Sequence, residues 1–329
     1  MKISILDQAV VSKGESSRDA LNNTVDLAVF ADKSGFYRFW IAEHHGMTGF
    51  ASSAPEVVLS AIGQLTKDIR IGSGATLLPY YKPFKVAEQY HTLSALYPGR
   101  IDLGIGRAPG GPAEVSEALS DNYLKNALNM PELAKELINY INYDNTDYKL
   151  KITPKNEEVP EVWMLGTSEK SAEAAGQAGL NYCFGEFMSN AGDIKKVLKT
   201  YKDNLSGNNG KVIVTITAFC AETTEKARDI AMSSIIFGIM KEREFGESKN
   251  DDRLPSVEEA KSFILTEEEN RKVSHRMDSM IIGSQQEVGN MLERIYSDEN
   301  VDELMISTNT HLLEDKINSF RLIKEYLDK

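Results

Sequence analysis

Two adjacent histidines are the first residues of this sequence whose types suggest chemistry. His44 and His45 follow the short apolar segment Arg38–Ala42, and they are two of the five histidines in the chain. Because an imidazole can exchange a proton near neutral pH, such a pair can bind a metal, transfer a proton or cap a strand through hydrogen bonds. On these residues alone, all three roles are open.

The spacing of the histidines argues against a metal. Side chains alternate between the two faces of a strand, so adjacent histidines cannot both point at one ion without a break in the pleat. The sequence also lacks C-x-x-C and H-E-x-x-H motifs, so a zinc hydrolase is only weakly supported. On the face of Trp40 and Ala42, His44 would transfer a proton or donate a hydrogen bond to developing negative charge. A structural histidine bonded to a loop carbonyl remains the alternative, more so for His45.

A second candidate site lies where the chain passes from a strand into a helix. Thr167 or Ser168 is a natural N-cap there, and the free amides of the first helical turn favour an anion. The hydroxyls of Ser168 and Ser171 would lie close together, so both could bond one phosphate. A plain cap, with Glu169 satisfying the helix dipole, explains the same residues. The anion site gains weight only if Arg107 reaches the same place.

The elements that must position these residues are eight short strands alternating with helices. The strands are predicted at Lys2–Asp7, Arg38–His44, Arg70–Leu78, Ile101–Arg107, Val162–Gly166, Asn181–Phe187, Val212–Cys220 and Glu303–Thr308. Helices are predicted at Arg18–Ser34, Pro55–Leu65, Phe84–Leu96, Glu169–Ala178, Asp193–Leu205, Thr223–Lys241 and Leu313–Tyr326. Strand followed by helix, repeated along one domain of residues 1–329, predicts an α/β fold of the (β/α)8 TIM-barrel type. A dinucleotide-binding open sheet is disfavoured, because its G-x-G-x-x-G motif meets a proline at the sixth position of Gly104–Pro109.

The fourth strand, Ile101–Arg107, carries the second cationic candidate. Its apolar side chains at 101, 103 and 105 would pack under the helices, while Asp102, Gly104 and Gly106 would point into the barrel. Glycine weakens a strand, and one reason to keep it is the close approach of a ligand or another backbone. Arg107 would then lie at the strand's C-terminal end, where barrel enzymes place their working residues. A surface arginine in an ion pair is the alternative.

Two segments are too long to be simple connections. One spans residues 108–160 after the fourth strand, and the other spans residues 243–284 around the seventh helix. Long insertions in this fold serve as lids, specificity loops or oligomer contacts. A solvated excursion without a role in binding remains open for both.

Composition excludes several classes of partner. The chain has 329 residues, a formal charge of −12 and a pI near 5.1, which disfavours a nonspecific grip on nucleic acid or anionic lipid. Two cysteines are too few for a disulfide framework, and no signal peptide or membrane-length apolar run is present. We therefore expect a cytoplasmic protein without a nucleic-acid or membrane partner.

Five short motifs together resemble the bacterial luciferase-like flavin-dependent monooxygenases. They are Ala42–Gly46, Gly74–Pro79, Val86–Gln89, Pro98–Arg107 and Leu165–Ser168, in this order. The resemblance implies a barrel that binds FMN, or reduced FMN supplied by a separate flavin reductase, at its C-terminal mouth. It also implies a homodimer, through early helices around Pro55–Leu65.

The resemblance assigns roles to individual positions. His44 would be the catalytic histidine, and the bond between Ala75 and Thr76 would be a non-proline cis peptide under the flavin ring. The phosphate contacts would be made by Arg107, Ser168 and Ser171, and Gly166 and Thr167 would belong to the same cofactor-binding turn.

The chain also departs from the light-emitting members. Gly106 stands where the luciferase catalytic subunit has a cysteine, and residues 243–284 read differently from the luciferase lid, so light emission on a long-chain aldehyde is not favoured. The leading hypothesis is a monooxygenase that uses reduced FMN and oxygen on an unidentified small organic substrate. Hydride transfer with a deazaflavin coenzyme or NAD(P)H, and flavin binding without catalysis, are the competing hypotheses.

Overall fold

The computed structural model describes residues 1–142, 150–186, 188, 191–207, 210–244, 252–298 and 301–329. Its strands are β1 (Ile3–Asp7), β2 (Arg38–Ile41), β3 (Arg70–Leu77), β4 (Ile101–Gly106), β5 (Glu161–Gly166), β6 (Asn181–Gly185), β7 (Val212–Ala221), β8 (Ile281–Ser284) and β9 (Glu303–Ser307). The tyrosine-, asparagine- and aspartate-rich residues 143–149 and the predicted strand end at Phe187 lie outside the described residues.

The helices follow the strands around the outside of the sheet. They are α1 (Ser17–Lys33), α2 (Pro55–Leu65), α3 (Pro83–Leu96), α4 (Ala113–Leu119), α5 (Tyr123–Leu128), α6 (Met130–Ile141), α7 (Glu169–Gln177), α8 (Ile194–Asp203), α9 (Thr224–Glu244), α10 (Val257–Lys261), α11 (Glu267–Ser279), α12 (Gln285–Asp298) and α13 (Leu313–Leu327). A short 3-10 turn at Leu78–Tyr80 joins β3 to α3.

Eight parallel strands close into a ring, which confirms the predicted TIM barrel. The ring runs from β1 to β7 in sequence order, and β9 closes it between β7 and β1. The short strand β8 lies outside this ring and pairs only with the C-terminal part of β7, from Ala218 to Ala221. Sequence analysis missed β8 because its four residues fall at the end of the segment treated as the second insertion.

Successive side chains along each strand point to opposite faces of the sheet, so the core forms two clusters, one on each face. This agrees with the prediction for the fourth strand. The side chains of Ile101, Leu103 and Ile105 belong to the large cluster packed between the sheet and the helices. A smaller cluster fills the barrel interior, with Trp40 and Trp163 in edge-to-face contact at 5.7 Å between ring centroids. Because both faces of the sheet are buried, the strands are apolar along most of their length.

A buried charge network fills the N-terminal end of the barrel. The Arg38 guanidinium bonds Asp102 at 2.7 Å and Glu303 at 2.8 Å, and the Trp40 indole donates to Asp102 at 3.0 Å. Burial opposes the charge of Arg38, but Asp102 and Glu303 outweigh burial and raise the pKa of the guanidinium. These ions lie at the end opposite the predicted site, and each buried charge is paired, so removing one partner would leave an uncompensated charge.

The two insertions are folded parts of the molecule where they are described. In the first, α6 packs on α3 with Ala134, Leu137 and Ile141 fully buried, and the ring of His91 bonds the carbonyl of Ile141 at 3.1 Å. In the second, α10 and α11 pack against α9. The helices α6, α10 and α11 of the two insertions are therefore packed against the barrel's own helices. Within the described part of the chain, no helix has the length and apolarity needed to cross a membrane.

Candidate active site

His44 lies on the C-terminal rim of the barrel, but not on a strand. The predicted strand Arg38–His44 is too long, because β2 ends at Ile41 and the last strand-like bond runs from the Ala42 amide to the Asp7 carbonyl at 3.0 Å. The next bonds, from the His44 amide to Ser52 at 2.9 Å and from the His45 amide to Gly110 at 2.8 Å, turn the chain across the rim. Strand alternation therefore does not set the direction of the His44 ring.

The His44 ring is held by stacking rather than by hydrogen bonds. It lies parallel to the ring of Phe50, with 4.0 Å between centroids and 15° between planes. Its Nδ1 atom has no solvent contact and no hydrogen-bond partner among the described residues. A buried polar atom without a partner is costly, and a bound ligand is one way to satisfy it.

The surroundings of His44 keep its imidazole uncharged at neutral pH. Burial lowers its pKa from 6.5 to about 3, with further lowering by the nearby charges of Lys241 and His45. A neutral imidazole has one N–H donor and one acceptor nitrogen. At pH 7, His44 can therefore donate or accept a hydrogen bond but carries no positive charge of its own.

His45 has a different partner, the buried carboxylate of Glu43. The His45 Nε2 atom lies 2.7 Å from Glu43 Oε1, which also accepts a bond of 2.6 Å from the Tyr81 hydroxyl. The other oxygen of Glu43 accepts a 3.0 Å bond from the Leu77 amide. The Glu43 carboxylate thus links the loop that carries His44 and His45, called the histidine loop below, to the end of β3 and to the turn that follows β3. The sequence motifs did not single out Glu43, although an acidic residue directly after a buried apolar segment was a usable signal.

The predicted cis peptide is displaced by one residue. It lies between Gly74 and Ala75, and the prediction of a cis bond between Ala75 and Thr76 is wrong. The register between β3 and β4 jumps between Ser73 and Thr76, so the irregular backbone begins earlier than the motif match implied. The side chain of Thr76 is buried and bonds the Tyr90 hydroxyl at 2.8 Å.

The glycines of β4 make room for this irregular part of β3. A Cβ atom at Gly104 would lie 2.2 Å from the Ser73 carbonyl oxygen, and one at Gly106 would lie 3.0 Å from the Ala75 Cβ. At Gly104 another backbone approaches closely, which is one of the two reasons expected for these glycines, whereas at Gly106 the near neighbour is the Ala75 side chain.

The start of α7 forms the second part of the site. Ser168 is its N-cap, and a capping box pairs the Ser168 and Ser171 side chains with each other's amides at 3.4 and 3.2 Å. The Ser171 hydroxyl also donates to the Ser168 carbonyl at 2.7 Å and lies 2.9 Å from the Tyr182 hydroxyl. Gly166 permits this arrangement, because a Cβ there would lie 2.2 Å from Ser171 Oγ.

The plain cap and the anion site are therefore not exclusive. The two hydroxyl oxygens lie 3.4 Å apart, and the preceding Thr167 is tied through its carbonyl to the Gly192 amide at 2.7 Å. Capping uses both serines, yet the first turn of a helix still attracts an anion through its amides and dipole. Tyr182 is a further polar group at this turn that sequence analysis missed.

Arg107 lies on the same rim, directly after β4. The register pairs Ile105 of β4 with Met164 of β5, so Arg107 and Gly166 leave their adjacent strands at matching heights. The Arg107 side chain is exposed, and its carbonyl accepts a 2.8 Å bond from the Tyr123 hydroxyl. Arg107 thus follows directly after the strand next to the one that leads into α7.

The first insertion is fixed to the rim by aromatic side chains. The ring of Tyr123 on α5 stacks on Tyr80 at 4.7 Å, and the Tyr80 hydroxyl donates to the Pro109 carbonyl at 2.5 Å. Tyr80 also shares a 2.7 Å hydrogen bond with Ser116 of α4. The insertion after β4 therefore contacts the C-terminal rim of the barrel.

The second insertion covers the opposite side of the histidine loop. The Leu254 amide donates to Val11 at 2.9 Å, and the Lys13 amide donates to Leu254 at 2.8 Å. The Leu254 side chain packs in a cluster with Val10, Phe237 and Phe50. An apolar wall thus stands behind the ring that stacks on His44.

The rim carries two polar features among the described residues. Arg107 and the capped start of α7 follow adjacent strands, and the neutral imidazole of His44, whose Nδ1 has no hydrogen-bond partner in the described ranges, follows another strand. No group of three histidine, cysteine, aspartate or glutamate side chains in the described ranges is arranged to share a metal ion.

Comparison with known proteins gives the family. The model of the luciferase-like monooxygenase family matches residues 1–303. The N-acetyl-S-alkylcysteine monooxygenase of Bacillus subtilis (strain 168) is 32% identical over 332 residues, which cover 99% of this chain and 98% of that protein. The crystal structure of apo-MsnO8 superposes with a TM-score of 0.86 at 29% identity, covering 99% of this chain and 98% of that one.

Two further structures share the fold and carry different cofactors. The oxygenating constituent of 3,6-diketocamphane monooxygenase from Pseudomonas putida, in complex with FMN, has a TM-score of 0.72 at 19% identity and covers 99% of this chain and 97% of that one. An F420-dependent secondary alcohol dehydrogenase with an F420-acetone adduct has a TM-score of 0.68 at 15% identity, with 99% and 98% covered. The family-model match over residues 1–303 and the 32% identical relative show that the chain belongs to the luciferase-like monooxygenase family.

Proposed function

We propose that the protein is an FMN-dependent monooxygenase that acts on a small organic substrate. The observation that carries the proposal is the shared rim, on which Arg107 and the start of α7 offer an anion site and His44 offers a neutral imidazole. The name of the Bacillus subtilis relative supports oxygen transfer, and the fold neighbour bound to FMN supports the cofactor.

The residues of the rim fit the parts of a reduced flavin mononucleotide. The Nδ1 atom of His44 provides a hydrogen-bonding atom that no group of the described residues uses. Arg107, Ser168 and the first-turn amides of α7 would bind the phosphate, with Gly166 and Thr167 shaping the turn and Ser171 bracing the cap. When bound, reduced FMN supplies the two electrons with which oxygen gives one atom to the substrate and one to water.

His44 would transfer a proton in this reaction. Because its imidazole is neutral, it can donate from one ring nitrogen and accept at the other without moving a net charge into the site. The apolar wall of Phe50, Phe237 and Val10 would keep water away from the reacting atoms. Ala75, which is nearly fully buried beside Gly106, would form part of the surface under the cofactor.

The first test measures oxygen transfer directly. Purified protein, reduced FMN and an N-acetyl-S-alkylcysteine are mixed under ¹⁸O₂, and the product is analysed by mass spectrometry. We expect one labelled oxygen atom per product and slower return of oxidised-flavin absorbance in a stopped-flow trace than for free reduced FMN. Turnover without oxygen, or product without label, would support hydride transfer instead.

The matched variants are His44→Ala and His44→Asn. Both should leave the Kd for FMN within about threefold of the wild type, since the phosphate anchor is elsewhere, while turnover falls by about 10²-fold or more. Because reduced FMN can be made chemically, the assay also works without the flavin reductase that we propose as the physiological source.

We also propose that the protein forms a homodimer through α2 and α3. Val57 on α2 and Leu96 on α3 are 65% and 56% exposed and line one surface groove between the two helices, and Leu65 at the end of α2 is 60% exposed. Light scattering should give twice the 36.6 kDa chain mass, and Val57→Asp with Leu96→Asp should give monomers. A monomeric wild type at micromolar concentration would refute this interface.

A further inference from the structure

Phe50 has a charged neighbour as well as an aromatic one. The Lys241 ammonium, near the end of α9, lies 3.1 Å from the centroid of the Phe50 ring and 4.3 Å from that of Phe237. The same Phe50 ring stacks on His44 at 4.0 Å. Since both distances meet at the Phe50 centroid, the ammonium lies no more than about 7 Å from the centre of the imidazole.

We propose that Lys241 is a positioning residue for His44 and acts through the ring of Phe50. The aromatic face attracts the ammonium by a cation–π interaction and stacks on the imidazole. Lys241, Phe50 and His44, the trio, therefore fix the plane of the His44 ring. The ammonium also lies close enough to His44 to disfavour a second positive charge on the imidazole. His44 stays uncharged over the working pH range for this reason as well as through burial.

Other charged groups near the loop are few among the described residues. His45 follows His44 directly, but its ring is engaged by Glu43. On the second insertion, Asp252 bonds the Thr48 hydroxyl rather than the imidazole. Lys241 lowers the pKa of His44 more than His45 does, which agrees with the stacking of Lys241, Phe50 and His44. Lys241 also comes from a helix that no motif connected with the site.

The test is a histidine titration by NMR of the flavin-free protein, with the charge at position 241 varied in steps. A unit charge within about 7 Å shifts a pKa by on the order of one pH unit at an effective dielectric constant of a few tens. From the wild-type value of about 3, the midpoint of His44 should rise by about one unit in Lys241→Met and about two units in Lys241→Glu. Lys241→Arg should match the wild type.

Two controls separate charge from misfolding. The midpoint of His91, whose ring on α3 bonds the Ile141 carbonyl, should be the same in all four proteins. Circular dichroism should also be unchanged. Equal His44 midpoints in the Met and Glu variants, or a wild-type midpoint near 6.5, would overturn the inference.

The consequence for turnover rests on the proposed function and has its own measurement. If neutral His44 is the working form, kcat of Lys241→Glu should fall below about pH 5, at the midpoint seen by NMR, while wild-type kcat stays level and the Kd for FMN changes less than twofold. A flat kcat profile in a variant whose His44 titrates near 5 would remove the link to catalysis. If the wild type transfers no oxygen at all, the proposed function fails, whereas the titration still decides the role of Lys241.

Discussion

The Glu43 carboxylate offers the sharpest test of how the rim is held together. It is 3% exposed and accepts three hydrogen bonds, from Tyr81 at 2.6 Å, from His45 at 2.7 Å and from the Leu77 amide at 3.0 Å. In Glu43→Gln, the amide NH2 replaces one acceptor oxygen, so it faces either the Leu77 amide or the Tyr81 and His45 donors. In the first orientation a donor is left facing the Leu77 amide, and in the second Tyr81 and His45 must accept instead of donate; in both, the hydrogen bonds to a charged acceptor are lost.

The expected loss of stability follows from these bonds. A hydrogen bond to a charged group contributes about 1.5–3 kcal/mol, and a buried donor left unpaired costs about 1–3 kcal/mol. Removal of a buried charge offsets part of this, so Glu43→Gln should lower the free energy of unfolding by about 2–4 kcal/mol. Tyr81→Phe removes one donor only and should cost about 1–2 kcal/mol.

The assay is urea unfolding followed by tryptophan fluorescence. Both tryptophans, Trp40 and Trp163, are buried inside the barrel and report on its opening. Glu56→Gln is the matched control, because burial raises the pKa of Glu56 and its charged form therefore does not favour folding. That variant should unfold within about 0.5 kcal/mol of the wild type or be slightly more stable. Wild-type stability in both Glu43→Gln and Tyr81→Phe would refute the role assigned to Glu43.

Three further outcomes are expected. Gly104→Ala should destabilise the protein by about 1–3 kcal/mol in the same unfolding assay, because the added Cβ would lie 2.2 Å from a backbone oxygen. Gly106→Ala should destabilise it less, and equal effects of the two substitutions would contradict this reasoning. Burial opposes the charge of Asp7, but the nearby Lys316 and the hydrogen bonds to Asp7 outweigh burial and lower the pKa of Asp7 below 3.8. Asp7 therefore adds stability above about pH 4, and this stability is lost as the pH falls through the lowered pKa. In a pH series of unfolding curves, Asp7→Asn should lose less stability below about pH 4 than the wild type does. An equal loss in both proteins would contradict the role assigned to Asp7. Arg107→Ala should weaken FMN binding by about 10–100-fold in a flavin fluorescence titration, and an unchanged Kd would place the phosphate elsewhere.

The sequence by itself determined the barrel and the strand order. Apolar runs of strand length alternated with amphipathic helices, and this local periodicity is enough to define eight units that close in order. It also determined that Arg107 and the Ser168 cap lie on one rim, because the C-terminal ends of parallel strands meet at the same edge. The capping box at Ser168 and Ser171 was likewise readable, since it depends on residues three apart.

Tertiary structure alone decided what surrounds the histidines. Periodicity could not show that β2 stops at Ile41, because the bonds that turn the chain come from Ser52 and Gly110. The stack of Phe50 on His44 and the ammonium of Lys241 join residues up to 197 positions apart. Such long-range contacts leave no mark in local sequence patterns, yet they set the pKa of His44. Long-range packing therefore sets the protonation state of His44, whereas the local alternation of strands and helices sets which residues lie on the C-terminal rim.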